Sequence, residues 1–208
     1  MTREVVIILG KTGYGKSTWL ANYSTRFTRI FVFDPFGKFP ANYYNEDFIL
    51  DEEIIGKFRP GRSFRVGSYN RNDLDLLGSL SFLSGDCLFV LEECGFIWSK
   101  GERIPNWLQE IVFLGRHKNV SLAVTAQRAA YIPIDLRSQA NRLISFWQTE
   151  FVDVGWLETY LGDRVDEISS LPKFICLDAE DNKISRYMVQ PAKLHNIQNI
   201  QELPQDTA

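Results

Sequence analysis

Cysteine is scarce in this chain of 208 residues, and a long apolar run and an excess of positive charge are both missing. Cys87, Cys94 and Cys176 are too few and too scattered for a zinc site or a disulfide framework. Cys87 and Cys94 flank an apolar run, where buried reduced thiols are the expected outcome. No apolar segment approaches the roughly 18 residues needed to span a bilayer. The first apolar run, Val5 to Leu9, stops at Gly10, which excludes a signal-peptide reading. A soluble, cytoplasmic protein with no membrane partner is expected. A formal charge of −3 argues against a protein whose whole surface coats nucleic acid, while leaving room for a local basic loop or a ring pore.

What is present is ample material for a core: 45% of residues are apolar and 13% aromatic, and global disorder is excluded. The length suits one domain, read as residues 1–194, followed by a polar tail over 195–208 that is expected to fray. Val5-Val6-Ile7-Ile8-Leu9 is continuously β-branched and aliphatic, as in a parallel strand buried on both faces. Ile30 to Phe33, Phe64 to Val66, Cys87 to Leu91, Val120 to Thr125 and Leu143 to Phe146 are further strand candidates. Between them lie helical patterns: one after Lys16 with Trp19, Leu20 and Tyr23, and one over Arg71 to Leu83 with leucines at 74, 77, 80 and 83. A third carries Ile104, Trp107, Leu108, Ile111 and Val112, with Pro105 suited to its first turn, and a fourth covers Asp153 to Leu161. Residues 35–62, rich in Pro, Gly, Asn and aromatics, read as irregular with a short helix around 51–58. Phe174 to Leu177 and Ile184 to Val189 read as a terminal β-hairpin whose acidic turn runs from Asp178 to Lys183. Apolar strands alternating with helices make this an α/β domain with a mainly parallel sheet.

Gly10-Lys11-Thr12-Gly13-Tyr14-Gly15-Lys16-Ser17 fits the phosphate-loop pattern G-x-x-x-x-G-K-[ST] throughout, with Thr18 following at the helix start. Glycines let the backbone wrap an anion with its N–H groups inward, and the helix behind adds its positive end. Lys16 is expected to reach the β- and γ-phosphates, and the Ser17 hydroxyl to ligate magnesium. A chance match in a chain this long has odds of about one in a hundred from average composition. A buried strand before the loop and a helix after it argue against an ordinary Gly-rich turn. ATP with Mg²⁺ is the expected ligand pair.

A phosphate-loop enzyme needs a carboxylate at a neighbouring strand end for the metal and a base to orient water. Leu88-Phe89-Val90-Leu91-Glu92-Glu93 supplies both, with Glu92 on the magnesium side, where Asp is more usual, and Glu93 polarising the attacking water. Gln127, in the polar tip after Val120 to Thr125, could hydrogen-bond the γ-phosphate or its attacking water.

The succession GKTGYGKST, LFVLEECGFIW, GRHKNVSLAVTAQR and IPIDLRSQANRLISF resembles the HerA/FtsK superfamily of DNA-translocating ATPases, over roughly residues 4–147. The third and fourth blocks are the specific part, since phosphate loops alone are widespread. The resemblance implies a RecA-like sheet of the ASCE class, with an inserted strand between the phosphate-loop and acidic strands. It also implies a homo-oligomeric ring, a pentamer or hexamer, with ATP at each interface and double-stranded DNA threaded through it. Gln127 would then be the sensor, and Arg116 would be presented to the neighbour's γ-phosphate, with Arg137 and Arg142 as competing choices. The extra domains of cellular relatives are missing from this sequence. The likeness is therefore to single-domain genome-packaging ATPases of viruses and phages, which implies a capsid portal or vertex partner and a host-cytoplasm location. A helicase or conjugation-type pump, a small-molecule kinase and a regulatory ATP-binding module are the alternatives. Candidate DNA-facing clusters are His117-Lys118, Arg26-Phe27-Thr28-Arg29, and Lys57 to Arg65 with Arg59, Arg62 and Phe64.

Overall fold

A computed structural model describes residues 3–43, 61–99, 103–181 and 183–190. Its centre is a nine-stranded sheet in the order β3-β4-β2-β5-β6-β1-β7-β8-β9. The strands are β1 Val5–Leu9, β2 Arg29–Phe33, β3 Asn42–Tyr43, β4 Phe64–Ser68, β5 Cys87–Leu91, β6 Val120–Ala126, β7 Arg142–Ser145, β8 Ile175–Glu180 and β9 Lys183–Met188. All pairings from β3 through β7 are parallel, and β7-β8-β9 are antiparallel. The sheet is thus mainly parallel with a C-terminal hairpin on one edge, the architecture the sequence pattern implies.

The continuous apolar run of β1 exists because the sheet is covered on both faces. Val5, Ile7 and Leu9 enter one core cluster, and Val6 and Ile8 enter another on the opposite side. Helix α1, Lys16–Ser24, covers the second face with Trp19, Leu20 and Tyr23. The first face is covered by α2, Leu74–Ser84, by α3, Asn106–Gln109, and by α5, Phe151–Leu161. The short α4, Ile134–Ser138, adds Leu136 to the same cluster. Each fully buried aliphatic contributes about 1.5–3 kcal/mol, so two covered faces hold the sheet rigid beneath its loops.

Four expectations change in detail. Leu74, Leu77 and Leu80 are buried but Leu83 is 74% exposed. A spacing of three drifts around a helix of 3.6 residues per turn, so nine residues carry the chain two and a half turns, to the opposite face. The segment after Pro105 is not a uniform α-helix: α3 continues as a π-helical stretch over Glu110–Leu114 and a 3₁₀ turn over Gly115–Lys118. Pro105 sits just before the first turn, not in it. Asp178 and Glu180 belong to β8, so the hairpin turn is tighter than the acidic run suggests; Asp178 is buried against Arg142. The helix expected around 51–58 and the tail over 195–208 lie outside the described residues.

Candidate active site

The parallel strands all end on one edge, and the loops leaving β1, β2, β5 and β6 converge there on a cleft of about 390 Å³. Gly10-to-Gly15 forms one wall. Its turn requires glycine at position 15, where φ is 116° and a Cβ would approach Phe146 and Phe174 to 3.0 and 3.1 Å. Gly10 is equally constrained, since a Cβ there would lie 2.6 Å from that of Phe146. Helix α1 begins without a side-chain cap, so the N–H groups of its first turn face the cleft with the positive end of the helix dipole behind them. Lys16 is only 5% exposed; its Nζ donates to the Gly10 carbonyl at 2.8 Å and lies 3.5 Å from Glu93 Oε1. Within the loop, Tyr14 stacks on Trp147 at 5.3 Å, and the Lys11 ammonium sits 5.0 Å over the same indole.

The opposite wall is the tip of β5 and its neighbour β6. Glu92 is buried, and Glu93 adopts a left-handed conformation with φ 52° and ψ 64°. That backbone is unfavourable for a residue with a Cβ and persists where its surroundings impose it. Here Thr125 does so: its hydroxyl accepts the Glu93 N–H at 2.8 Å and donates to the Glu92 carboxylate. One hydroxyl therefore turns Glu92 inward and Glu93 toward the loop. Burial pushes the Glu92 carboxyl up to about 7; the Thr125 hydrogen bond and Lys16 oppose the shift, and Asp34 and Glu93 add to it. Gln127 Nε2 meets Glu93 Oε2 at 3.4 Å, a long hydrogen bond. Its backbone is held from behind by the buried Gln148, whose amide donates to the Gln127 carbonyl at 2.7 Å. The order β5-β6-β1 puts Gln127 between the phosphate loop and the acidic pair.

Three groups at this site had no role assigned from the sequence. Thr125 was visible as part of a Thr-x-Gln-Arg strand end, but its bridging contact needs the β5–β6 register, which sets Leu91 opposite Val124. Asp34 closes β2 and lines the cleft; its carboxylate accepts the N–H groups of Phe36, Lys38 and Phe39 at 2.9, 2.6 and 2.8 Å. Its Asp-Pro sequence signals a turn, yet not which cavity the turn borders. Arg128, next to Gln127, is fastened to Asp153 and Glu150 on the α5 side at 3.1 and 3.3 Å.

The residues suit a hydrated magnesium ion. Ser17 offers an exposed hydroxyl and Glu92 a carboxylate, both hard oxygen donors, and a cation beside a carboxyl favours its charged form. Among the described residues no group of three or more His, Cys, Asp or Glu could cage a metal, which fits an ion that draws its other ligands from water and phosphate.

The arginines weighed for a role across subunits separate sharply. Arg142 is enclosed, paired with Glu4 at 3.0 Å and Asp178 at 2.7 Å and stacked over Trp19. Arg137 is half-buried under Trp156, with its ring-to-guanidinium distance 5.7 Å. Arg116 is exposed, and among the described residues its side chain hydrogen-bonds to its neighbour His117 at 3.3 Å. It precedes β6 whereas Gln127 follows it, so the seven residues of that strand, roughly 23 Å, separate Arg116 from the cleft of its own chain. Two basic clusters are partly engaged by the fold. Arg29 is buried against Ser84, Arg26 pairs with Glu4 at 2.7 Å, and Arg65 donates to the Ser24 carbonyl at 3.1 Å. Phe64 packs edge-on against Phe31, and residues 57–60 lie outside the described residues. His117, Lys118 and Arg62 are exposed.

No protein-family model matches the sequence, and no curated protein matches it. Solved structures do match in fold. The genome-packaging NTPase B204 from Sulfolobus turreted icosahedral virus 2, in complex with AMPPCP, superposes with a TM-score of 0.70 at 16% identity, covering 92% of this chain and 99% of that one. B204 from Sulfolobus turreted icosahedral virus, described as a DNA-packaging ATPase, gives 0.68 at 18% identity over 92% and 99%. The pCW3 conjugation coupling protein TcpA with ATPγS gives 0.59 at 14% identity, over 91% of this chain and 61% of TcpA. The fold is thus one shared with packaging and coupling ATPases, as the sequence blocks imply.

Proposed function

We propose that this protein is an ATPase that hydrolyses ATP to ADP and phosphate and couples the reaction to movement of double-stranded DNA, as a genome-packaging motor. The observation that carries the ATPase reading is the meeting of Lys16 and Glu93 at 3.5 Å across the phosphate-loop cleft. The loop amides and the first turn of α1 hold the triphosphate, with Thr18 at the α-phosphate end and Lys16 at the γ-phosphate. Glu93 accepts a proton from water as its oxygen attacks the γ-phosphorus. The bond from that phosphorus to the bridging oxygen breaks and ADP leaves. Ser17 and Glu92 would hold Mg²⁺, which when bound offsets the charge of the β- and γ-phosphates. Gln127 orients the water or reads the γ-phosphate from between the two walls. An adjacent copy supplies Arg116 to the γ-phosphate in a ring of subunits.

The DNA part of the reading is supported by the fold likeness to B204, whose TM-score exceeds that of TcpA, and by the four sequence blocks. It is tested by measuring phosphate release with and without blunt duplex DNA. Release should depend on Mg²⁺ and rise with duplex. Transfer of the γ-phosphate to a small acceptor would overturn the ATPase reading, and a requirement for forked DNA would replace packaging by unwinding. Glu93→Gln should bind ATP with turnover reduced at least about a hundredfold; unchanged turnover would remove Glu93 as the base.

A further inference from the structure

We propose that Phe174 is the nucleobase platform of the cleft, its ring stacking on the adenine of ATP; this rests on the ATP-site reading above. Phe174 lines the cleft together with Gly13, Gly15 and Thr18. Its backbone is left-handed, with φ 63°, a conformation that costs a bulky residue strain. Two backbone hydrogen bonds impose it: the Phe174 N–H donates to the Tyr14 carbonyl of the phosphate loop at 2.9 Å, and its carbonyl accepts the Val189 N–H at 2.7 Å. The strain is not repaid by burial, since the residue remains 40% exposed. An aromatic ring is therefore pinned to the phosphate loop by its own backbone and displayed to solvent within the cleft.

The direction of the ligand selects this ring over the other aromatics. Lys16 and Glu93 mark the γ-phosphate end, on the β5 side of the loop. A nucleotide with its γ-phosphate there runs past the first turn of α1 and carries its base to the far flank, toward the strand β8 that Phe174 introduces. Phe36 and Phe39 line the cleft from the β2 side, beyond the acidic strand. Phe39 is buried, and Phe36 already meets Phe96 edge-on at 5.2 Å. A purine has an extended π-face, and an aromatic side chain stacked on it holds the base without reading its edges.

The test compares binding of Mg-ATP and of Mg-tripolyphosphate, which lacks base and ribose, by isothermal titration calorimetry. Phe174→Ala should weaken ATP about ten- to a hundredfold and leave tripolyphosphate unchanged; Phe174→Trp should keep the ATP affinity. Phe174→Asn, a residue that accepts the left-handed backbone, removes the ring without the strain and should behave as the alanine variant does. Tripolyphosphate binding shows in each case that the variant is folded. Unchanged ATP affinity in Phe174→Asn overturns the proposal, as does an equal loss of both ligands, which would make Phe174 a support for the loop alone. Loss of ATP in Phe36→Ala with Phe174→Asn unaffected would move the platform to the other flank. If the unmutated protein binds neither ligand, the ATP-site reading itself fails.

Discussion

At the scale of single residues, the site turns on one hydroxyl and one buried carboxyl. Thr125→Val keeps shape but leaves the Glu93 N–H without its acceptor and Glu92 without its donor. We expect a stability loss of roughly 1–3 kcal/mol by urea unfolding, with turnover reduced more than ATP affinity, because both carboxylates lose their orientation. Glu92 sets a pH dependence whose sign is fixed. Its folded value, about 7, lies above the ordinary glutamate value of 4.5, so the folded chain holds the proton more tightly across that window. Stability is highest at the acid end and falls as pH rises through the window, at no more than about 1.4 kcal/mol per pH unit. Urea unfolding of the nucleotide-free protein in chelator, from pH 5 to 7.5, should show this fall, and Glu92→Gln should flatten it.

At the scale of elements, α2 and α3 are fitted to one another with no spare volume. A Cβ at Gly78 would stand 2.1 Å from a ring carbon of Trp107, and the same indole donates to Asp75 at 2.6 Å while meeting Phe89 edge-on at 5.6 Å. Gly78→Ala should therefore cost roughly 1–3 kcal/mol through overpacking, despite alanine's better helix propensity; a rise in melting temperature would contradict the close approach. Leu83→Lys, on the same helix, should change stability by no more than about 0.5 kcal/mol, because that side chain faces water. The sequence showed α2 plainly and misjudged its last leucine and its first turn, since Arg71–Asp73 form a 3₁₀ turn ahead of the α-helix. The conversion of α3 into a π-helical stretch left no such mark, since the buried set Ile104, Trp107, Leu108, Ile111 and Val112 also suits an unbroken α-helix.

At the scale of the whole molecule, the C-terminal hairpin is locked to the first strand by charge. Arg142 bridges Glu4 on the β1 side to Asp178 on β8, and Tyr187 on β9 donates to the same Asp178 at 2.9 Å. Arg142→Met would leave buried Glu4 with Arg26 and buried Asp178 with the Tyr187 hydroxyl, and a loss of up to about 3–5 kcal/mol is expected in denaturant unfolding. Such a variant also reports whether the hairpin, and with it Phe174, stays seated. The role proposed for Arg116 lies between copies of the chain. Arg116→Ala should keep ATP affinity and lose turnover, and mixing it with Lys16→Ala should restore part of the activity. Without rescue on mixing, the arginine does not act between subunits.

The strand–loop–helix of the phosphate site, the acidic strand and the alternation of apolar strands with helices were determined by the sequence. Each depends on local spacing: a run buried on both faces, glycines where the backbone must curl, and carboxylates directly after a strand. Tertiary structure alone decided the rest. It was strand order that brought Glu93 to Lys16, register that gave Thr125 the Glu92 carboxylate and the Glu93 N–H, and the antiparallel return of β8 that set Phe174 against the loop. These are contacts between residues far apart in the chain, where only the packing of the sheet determines which side chains meet.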